Sequence, residues 1–420
     1  MTVTASAAKV AERATRPLKR RDAVAVFILL FAVTSRGVLE VAVSKQGAYL
    51  VQIIAALAVV IYLRHRSVTL PGSKRSSVYV ALFLLVVTGL VSVFVTQGQN
   101  AHASSASSVI YLLSFTAIGL LLALSSDAIR ASDNLRVVAP SALILVISQV
   151  MIATAQQFAD YSTFAGSDYG SFGTLARPAG LTGSYLHYPL VLSVLGIILF
   201  GAWLRTGRAI YLIGAGTAIY GILASYSRSG MMILAVTVIL GVLLGRTLAV
   251  RIAAGVAVAY LVAITFLLFG ESPVLARALS SVDFDAAGNA RRLDQWSAGL
   301  ARWSESSLFF GNYTGLFSNV GRNFGGDSLG VVESSLLQQM LNLGLIGAVA
   351  TYWLLFATAA SVSRSDTWVR AGLYACIFQT LIYQSIEVLP FVALLSIVPL
   401  TFGAMESTVY RPSLMPIGGA

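Results

Sequence analysis

Apolar runs of roughly 17 to 25 residues recur along this chain, divided by short polar breaks, and each is long enough to cross the ~30 Å hydrocarbon core of a bilayer as a helix. A membrane-spanning strand needs only about 9 to 11 residues, so the length of the runs decides for helices. Spans are expected near residues 23–42, 47–63, 77–96, 108–125, 137–158, 187–204, 209–226, 229–245, 252–270, 335–361, 369–388 and 390–405. That is about twelve transmembrane helices, an all-α polytopic integral membrane bundle. The first span is the weakest, since Arg36 and Glu40 fall near its end. Composition agrees: 57% of residues are hydrophobic, 11% are charged and the mean hydropathy is +0.81, far from the globular range.

Orientation follows from the basic residues. Nineteen of the 28 Lys and Arg lie in the N-terminal arm, in alternate hairpins such as Arg64 to Arg75 and Arg205 to Arg208, or in the tail. The positive-inside rule then puts both termini of this multi-pass protein in the cytoplasm. Residues 1–22 read as a cytoplasmic basic arm suited to anionic lipid, 23–405 as the transmembrane domain and 406–420 as a cytoplasmic tail. Two loops of substance face outward: 159–186, and the hydrophilic insert 271–335 with Arg277, Arg291, Arg292, Arg302 and Arg322.

The net charge of +11 is scattered among hairpin ends, which argues against nucleic-acid binding. Cys376 is the sole cysteine, so no intramolecular disulfide forms. His65, His102 and His187 have no ligand spacing and no acidic pair has a metal-loop pattern, so neither a metal nor a cofactor is expected. The two halves do not mirror each other, which weakens a transporter reading.

Polar residues within the spans gather toward the outer side. Gln149, Gln156 and Gln157 share a helical face, Glu333, Gln338, Gln339 and Asn342 open the tenth span, and Gln384 and Glu387 lie late in the eleventh. They suggest an outward-opening polar cavity, with interhelical hydrogen bonding as the plainer alternative. The turn Ser225 to Gly230 holds Arg228 near the outer surface, either as a fork for phosphate oxygens or as a side chain snorkelling to headgroups. In the long loop, Leu293, Trp296, Leu300 and Trp303 make residues 290–304 an amphipathic helix, expected to lie tryptophans down on the bundle or the membrane interface. Gly311, Gly315, Gly325, Gly326 and Gly330 follow, a turn-rich stretch suited to a mobile lid.

Three features together resemble the bacterial O-antigen ligase and O-antigen polymerase superfamily over about residues 170–350. They are a span ending in Ser227-Arg228-Ser229-Gly230, an Arg followed four residues later by Trp in the outer loop (Arg292 and Trp296), and the segment Glu333 to Gly347 closing in Gly-Leu-Ile-Gly. The run Arg177 to Gly183 is similar to that family's segment before the sixth span. One departure matters: the family's ligases usually carry a histidine where this chain has Glu333, which moves the expectation toward a polymerase.

The resemblance implies a GT-C-like, metal-independent, inverting glycosyltransferase. Its donor would be an oligosaccharide on undecaprenyl pyrophosphate, its acceptor a glycan, and a chain-length regulator or flippase a partner protein. In that scheme Arg228 and Arg292 bind the donor pyrophosphate, whose negative charge grows as it leaves, with Arg177 and Arg291 as supporting charge. Glu333 orients or deprotonates the acceptor hydroxyl, and Gln338 and Gln157 complete the substrate-binding set. A ligase that transfers finished glycan to lipid, protein or cell wall is the alternative enzyme, and a lipid-linked-saccharide flippase the alternative of another class.

Overall fold

The computed structural model describes residues 20–67, 74–99, 105–126, 134–159, 161–165, 170–172, 175–245, 251–252, 255, 273, 276–277, 280, 287–305, 307–320 and 332–403. The span expected near 252–270, the terminal arm and the tail lie largely or wholly outside these residues.

Helices dominate: α1 (Arg20–Thr34), α2 (Arg36–Ala42), α3 (Lys45–Arg66), α4 (Lys74–Gln99), α5 (Ser105–Ser126), α6 (Leu135–Phe158), α7 (His187–Thr206), α8 (Ala209–Ala224), α9 (Arg228–Leu243), α10 (Ala287–Ser304), α11 (Ser335–Ala360), α12 (Thr367–Ile382) and α13 (Leu389–Phe402). A small antiparallel hairpin, β1 (Gly170–Phe172) with β2 (Leu175–Arg177), sits between α6 and α7. Six helices, α3 to α7 and α11, are long and apolar enough to cross a membrane, and α8, α9 and α13 are shorter apolar helices. The protein is therefore a polytopic membrane helix bundle. The first expected span is broken at Ser35, where α1 and α2 meet at 84°. The break is built in: the Gly37 amide donates to the Leu181 carbonyl at 2.9 Å, and a Cβ there would lie 2.4 Å from the Phe164 carbonyl oxygen.

Every residue of α13 is buried, and α3, α5 and α7 pack around it. α4 runs along α11, α8 along α7, and α9 packs chiefly on α12. At the end far from Arg228, Asn134 donates to the carbonyls of Leu63 and Leu400 at 3.1 and 2.9 Å, tying α3 and α13 to the start of α6. The Arg205 guanidinium grips Asp366 through two nitrogens, at 3.0 and 2.5 Å.

The largest departure from the sequence expectation is the segment 307–320. Gly311 and Gly315 are wedged into the bundle, where a Cβ on either would meet backbone at 2.6 and 2.8 Å. They do not form a free lid; Gly325, Gly326 and Gly330 lie outside the described residues. The segment enters where α11 is interrupted at Gly344, whose φ of 73° belongs to the left-handed region. Leu345 donates to the Leu308 carbonyl at 2.9 Å, and Gly315 to Asn342 Oδ1 at 2.8 Å. Thr314 is fully buried; its amide donates to Thr96 Oγ1 at 2.9 Å and its carbonyl accepts from the Ser108 hydroxyl at 2.8 Å. Non-helical backbone at membrane depth requires such substitutes for water.

Candidate functional site

Four arginines from four separate segments converge at one end of the bundle: Arg177 closes β2, Arg228 opens α9, Arg277 lies in the long loop and Arg292 is on α10. Their charges act on one another. Burial, and then Arg228, Arg177 and Arg292, lower the Arg277 guanidinium to about 10. Burial first lowers Arg177 as well, with Arg228 and Arg292 adding to it against the opposing effect of Tyr185.

The turn between α8 and α9 organises this group. Tyr226 has a φ of 50°, uncommon for a bulky residue and worth of order 1–3 kcal/mol in strain. The resulting turn offers the Ser225 carbonyl to Arg177 Nε and the Tyr226 carbonyl to Arg277 Nε, both at 3.3 Å. Arg228 is 8% exposed; its guanidinium donates to Asn289 Oδ1 on α10 and to Ser280 Oγ at 3.3 Å, while Asn289 in turn donates to the Ser280 carbonyl at 3.0 Å. Ser227 caps α9 without a side-chain bond to its first amides, so the helix N-terminus adds its partial positive charge beside Arg228.

α10 carries Arg292 and holds Glu333 with two side chains of one face, Arg292 through an ion pair and Trp296 through a bond to the Glu333 carbonyl at 3.4 Å. The Arg-to-Trp spacing of four residues has its physical reason here, since positions i and i+4 are neighbours on a helix. The Arg292 guanidinium also stacks 4.5 Å above the Tyr383 ring, and Arg177 4.2 Å above Tyr185. Trp296, Gly299 and Trp303 dock α10 on the start of α11, where a Cβ on Gly299 would reach Leu337 at 2.8 Å. Leu293 and Leu300, assigned by periodicity to the docked face, are 44% and 50% exposed.

No family model matches this chain, and no curated protein or solved structure is similar to it.

The remaining predicted site residues fall into two groups. Arg291 is exposed on α10 and is not among the convergent arginines; Arg277 instead takes the supporting role expected of Arg291. The glutamines on α6 do not line an open cavity. Gln149 and Gln156 are fully buried and clamp the 179–181 backbone, with Gln156 Oε1 accepting from the Ala179 and Gly180 amides at 2.9 and 2.8 Å. Gln149 Oε1 accepts from the Leu181 amide at 2.8 Å while its Nε2 donates to the Thr34 carbonyl at 3.1 Å. Gln157 donates to the Ala224 carbonyl at 3.4 Å and so supports the arginine turn from below. Gln338, in the first turn of α11, is fully buried with neither amide atom hydrogen-bonded among the described residues.

Sequence reasoning passed over Arg277, Asn289 and Tyr383. The only local sign was the Arg277 to Ser280 spacing, one helical turn closed by Ser280 donating to the Ala276 and Arg277 carbonyls at 3.0 and 2.8 Å.

Proposed function

We propose that this chain is a metal-independent, inverting membrane glycosyltransferase of GT-C-like architecture with about twelve spans. In this reading it polymerises undecaprenyl-pyrophosphate-linked oligosaccharide units on the extracytoplasmic face, in surface-polysaccharide synthesis. The observation that carries the reading is the convergence of Arg177, Arg228, Arg277 and Arg292 on the N-terminus of α9. Guanidinium forks and helix amides are suited to phosphate oxygens, and fixed positive charge stabilises a pyrophosphate as it departs with its electron pair. An apolar cavity of about 140 Å³ lies between α7, α8, α9 and α12, with Ile222 and Ile233 on its walls. Ile233 follows Arg228 by five residues, roughly 7.5 Å along the helix. An apolar slot and a cationic group set along the same helix suit a lipid-linked substrate.

Glu333, ion-paired with Arg292, sets the position of that guanidinium. The test is the lipid-linked product that accumulates when the gene is deleted: single repeat units support a polymerase, full-length polymer on the carrier indicates a ligase, and units trapped on the cytoplasmic leaflet indicate a flippase. Transfer by the purified protein should persist in excess EDTA, and reversible loss on chelation would show that the arginines do not suffice for the leaving group.

A further inference from the structure

Glu387 lies in the link Tyr383–Val388 between α12 and α13 and is 6% exposed. One carboxylate oxygen, Oε2, accepts from the Asn319 amide at 2.8 Å, and the Gln384 side chain and the Val320 amide lie beside it. The other, Oε1, has no hydrogen-bond partner among the described residues. The titratable groups that face it are Tyr49 on α3 and Tyr111 on α5, and the Tyr111 hydroxyl accepts from Gln339 Nε2 at 3.3 Å. Gln339 Oε1 and both amide atoms of Gln338 are likewise buried and unpartnered among the described residues. These buried polar atoms gather at one end of α11, where a hydroxyl-bearing ligand would find both acceptors and donors.

The same link reaches the arginines. Ser335 Oγ accepts from the Ser385 and Ile386 amides at 2.8 and 3.1 Å and donates to the Tyr383 carbonyl at 3.0 Å, pinning the link two residues from Glu333. Tyr383 carries Arg292 on its ring. Four residues span at most about 14 Å, so Glu387 lies within that reach of Tyr383, on whose ring Arg292 stacks.

We propose that Glu387 is the proton acceptor for the hydroxyl that attacks the lipid-linked saccharide, the role the sequence suggested for Glu333. This rests on the glycosyl-transfer reading. The acceptor O–H proton passes to Glu387 Oε1 and the hydroxyl oxygen bonds to the anomeric carbon. The bond from that carbon to the phosphate oxygen breaks, its electron pair leaving on the pyrophosphate beside the arginines. The proton then returns to water. Protonating Glu333 instead would dissolve the ion pair that holds Arg292. Burial, partly opposed by its hydrogen bonds, pushes the Glu387 carboxyl from 4.5 up to about 8, which suits a base working near neutrality.

The experiment uses the purified full-length protein with lipid-linked donor and a glycan acceptor. Glu387→Gln keeps an oxygen for the Asn319 amide, so a purely structural carboxylate would survive it. The expected result is a fall in kcat of about 10²- to 10⁴-fold, with donor affinity within about threefold of wild type. In wild type the rate should fall about tenfold for each pH unit below about 8, because only the ionised carboxylate accepts the proton. That limb should be missing in Glu387→Gln and retained, on a lower rate, in Glu333→Gln. Wild-type turnover in Glu387→Gln, or a wild-type rate flat between pH 6 and 9, would overturn the proposal. If Glu387→Gln does not insert or fold, the wild-type profile together with partial activity in Glu387→Asp decides. A wild-type protein that transfers nothing from any lipid-linked saccharide would sink the glycosyltransferase reading itself, a different outcome from these.

Discussion

Replacing Arg228 tests the cationic group most directly, because its side chain is 8% exposed and ties three segments together. Lysine keeps the charge but presents a point ammonium in place of a planar fork. It cannot reach Asn289 Oδ1 and Ser280 Oγ and still face a phosphate, so Arg228→Lys loses either the scaffold contacts or the substrate contact. Each donor withdrawn from developing negative charge costs about 2.7–4 kcal/mol, or 10²- to 10³-fold in kcat. Arg228→Ala removes both donors and the charge, and should fall by 10³-fold or more on the same scale, about 4 kcal/mol. The structural loss is of similar size, which is why stability must be measured alongside turnover. Two hydrogen bonds to a charged donor are worth about 1.5–3 kcal/mol each, and Asn289 keeps its own bond to the Ser280 carbonyl. The assay is single-turnover transfer from a lipid-linked donor in detergent or nanodiscs, with thermal unfolding of the same preparations as a control. Arg228→Lys turning over within about threefold of wild type, with unchanged donor affinity, would refute the bidentate role, since a lost fork predicts at least a hundredfold.

Further outcomes follow from the same geometry. Arg277→Ala should lower transfer by about 10²-fold because it removes one of the converging charges, whereas Arg291→Ala should stay within about threefold, since surface charges contribute little; a larger loss at Arg291 measured in the same assay would return it to the site. Gly344→Ala should destabilise the protein by about 2–5 kcal/mol, the sum of a left-handed backbone and an overpacked contact, because its Cβ would lie 2.2 Å from the Phe309 carbonyl oxygen; an unchanged thermal midpoint would mean that the 307–320 segment can move aside.

The helices were legible because apolar runs and polar breaks are local properties of the chain. The runs at 137–158 and 187–204 became α6 at Leu135–Phe158 and α7 at His187–Thr206. The insertion of residues 307–320 was not legible, because its burial depends on Ser92 and Thr96 of α4, Ser108 of α5 and Asn342 of α11, which only the tertiary fold brings together. A segment rich in Gly, Asn and Thr has the same composition whether water or neighbouring helices satisfy its backbone. On α10 the tryptophans pack on the bundle as expected, while Leu293 and Leu300 stay exposed. Hydrophobic periodicity marks the apolar side, but Gly299 carries no hydrophobic signal and still packs so closely on Leu337 of α11 that a Cβ would lie 2.8 Å from it. Gln149 and Gln156 show a further limit: their shared face was correctly placed, yet the 179–181 backbone fills it. At the site, Arg228 and Arg292 could be singled out from local motifs, while Arg277 stood in loop sequence with no periodicity to distinguish it.

Ser335 explains why these groups can act together. A hydroxyl has one donor and two acceptor positions, and Ser335 uses all three on the Tyr383 to Ile386 backbone while remaining fully buried. Ser334, its neighbour, accepts from the Leu337 amide at 3.3 Å to start α11 and donates to the Leu381 carbonyl at 2.6 Å. These two serines therefore join the beginning of α11 to the end of α12 and to the link that follows. Glu333 with Arg292 hangs from one side of that junction, Tyr383 from the other, and Glu387 from its far end. No long lever separates them: the hydrogen bonds of the two serines fix where Glu333, Tyr383 and Glu387 leave the backbone, and the docking of α10 on α11 brings Arg292 to that junction, the kind of fixed placement that positioned chemistry requires.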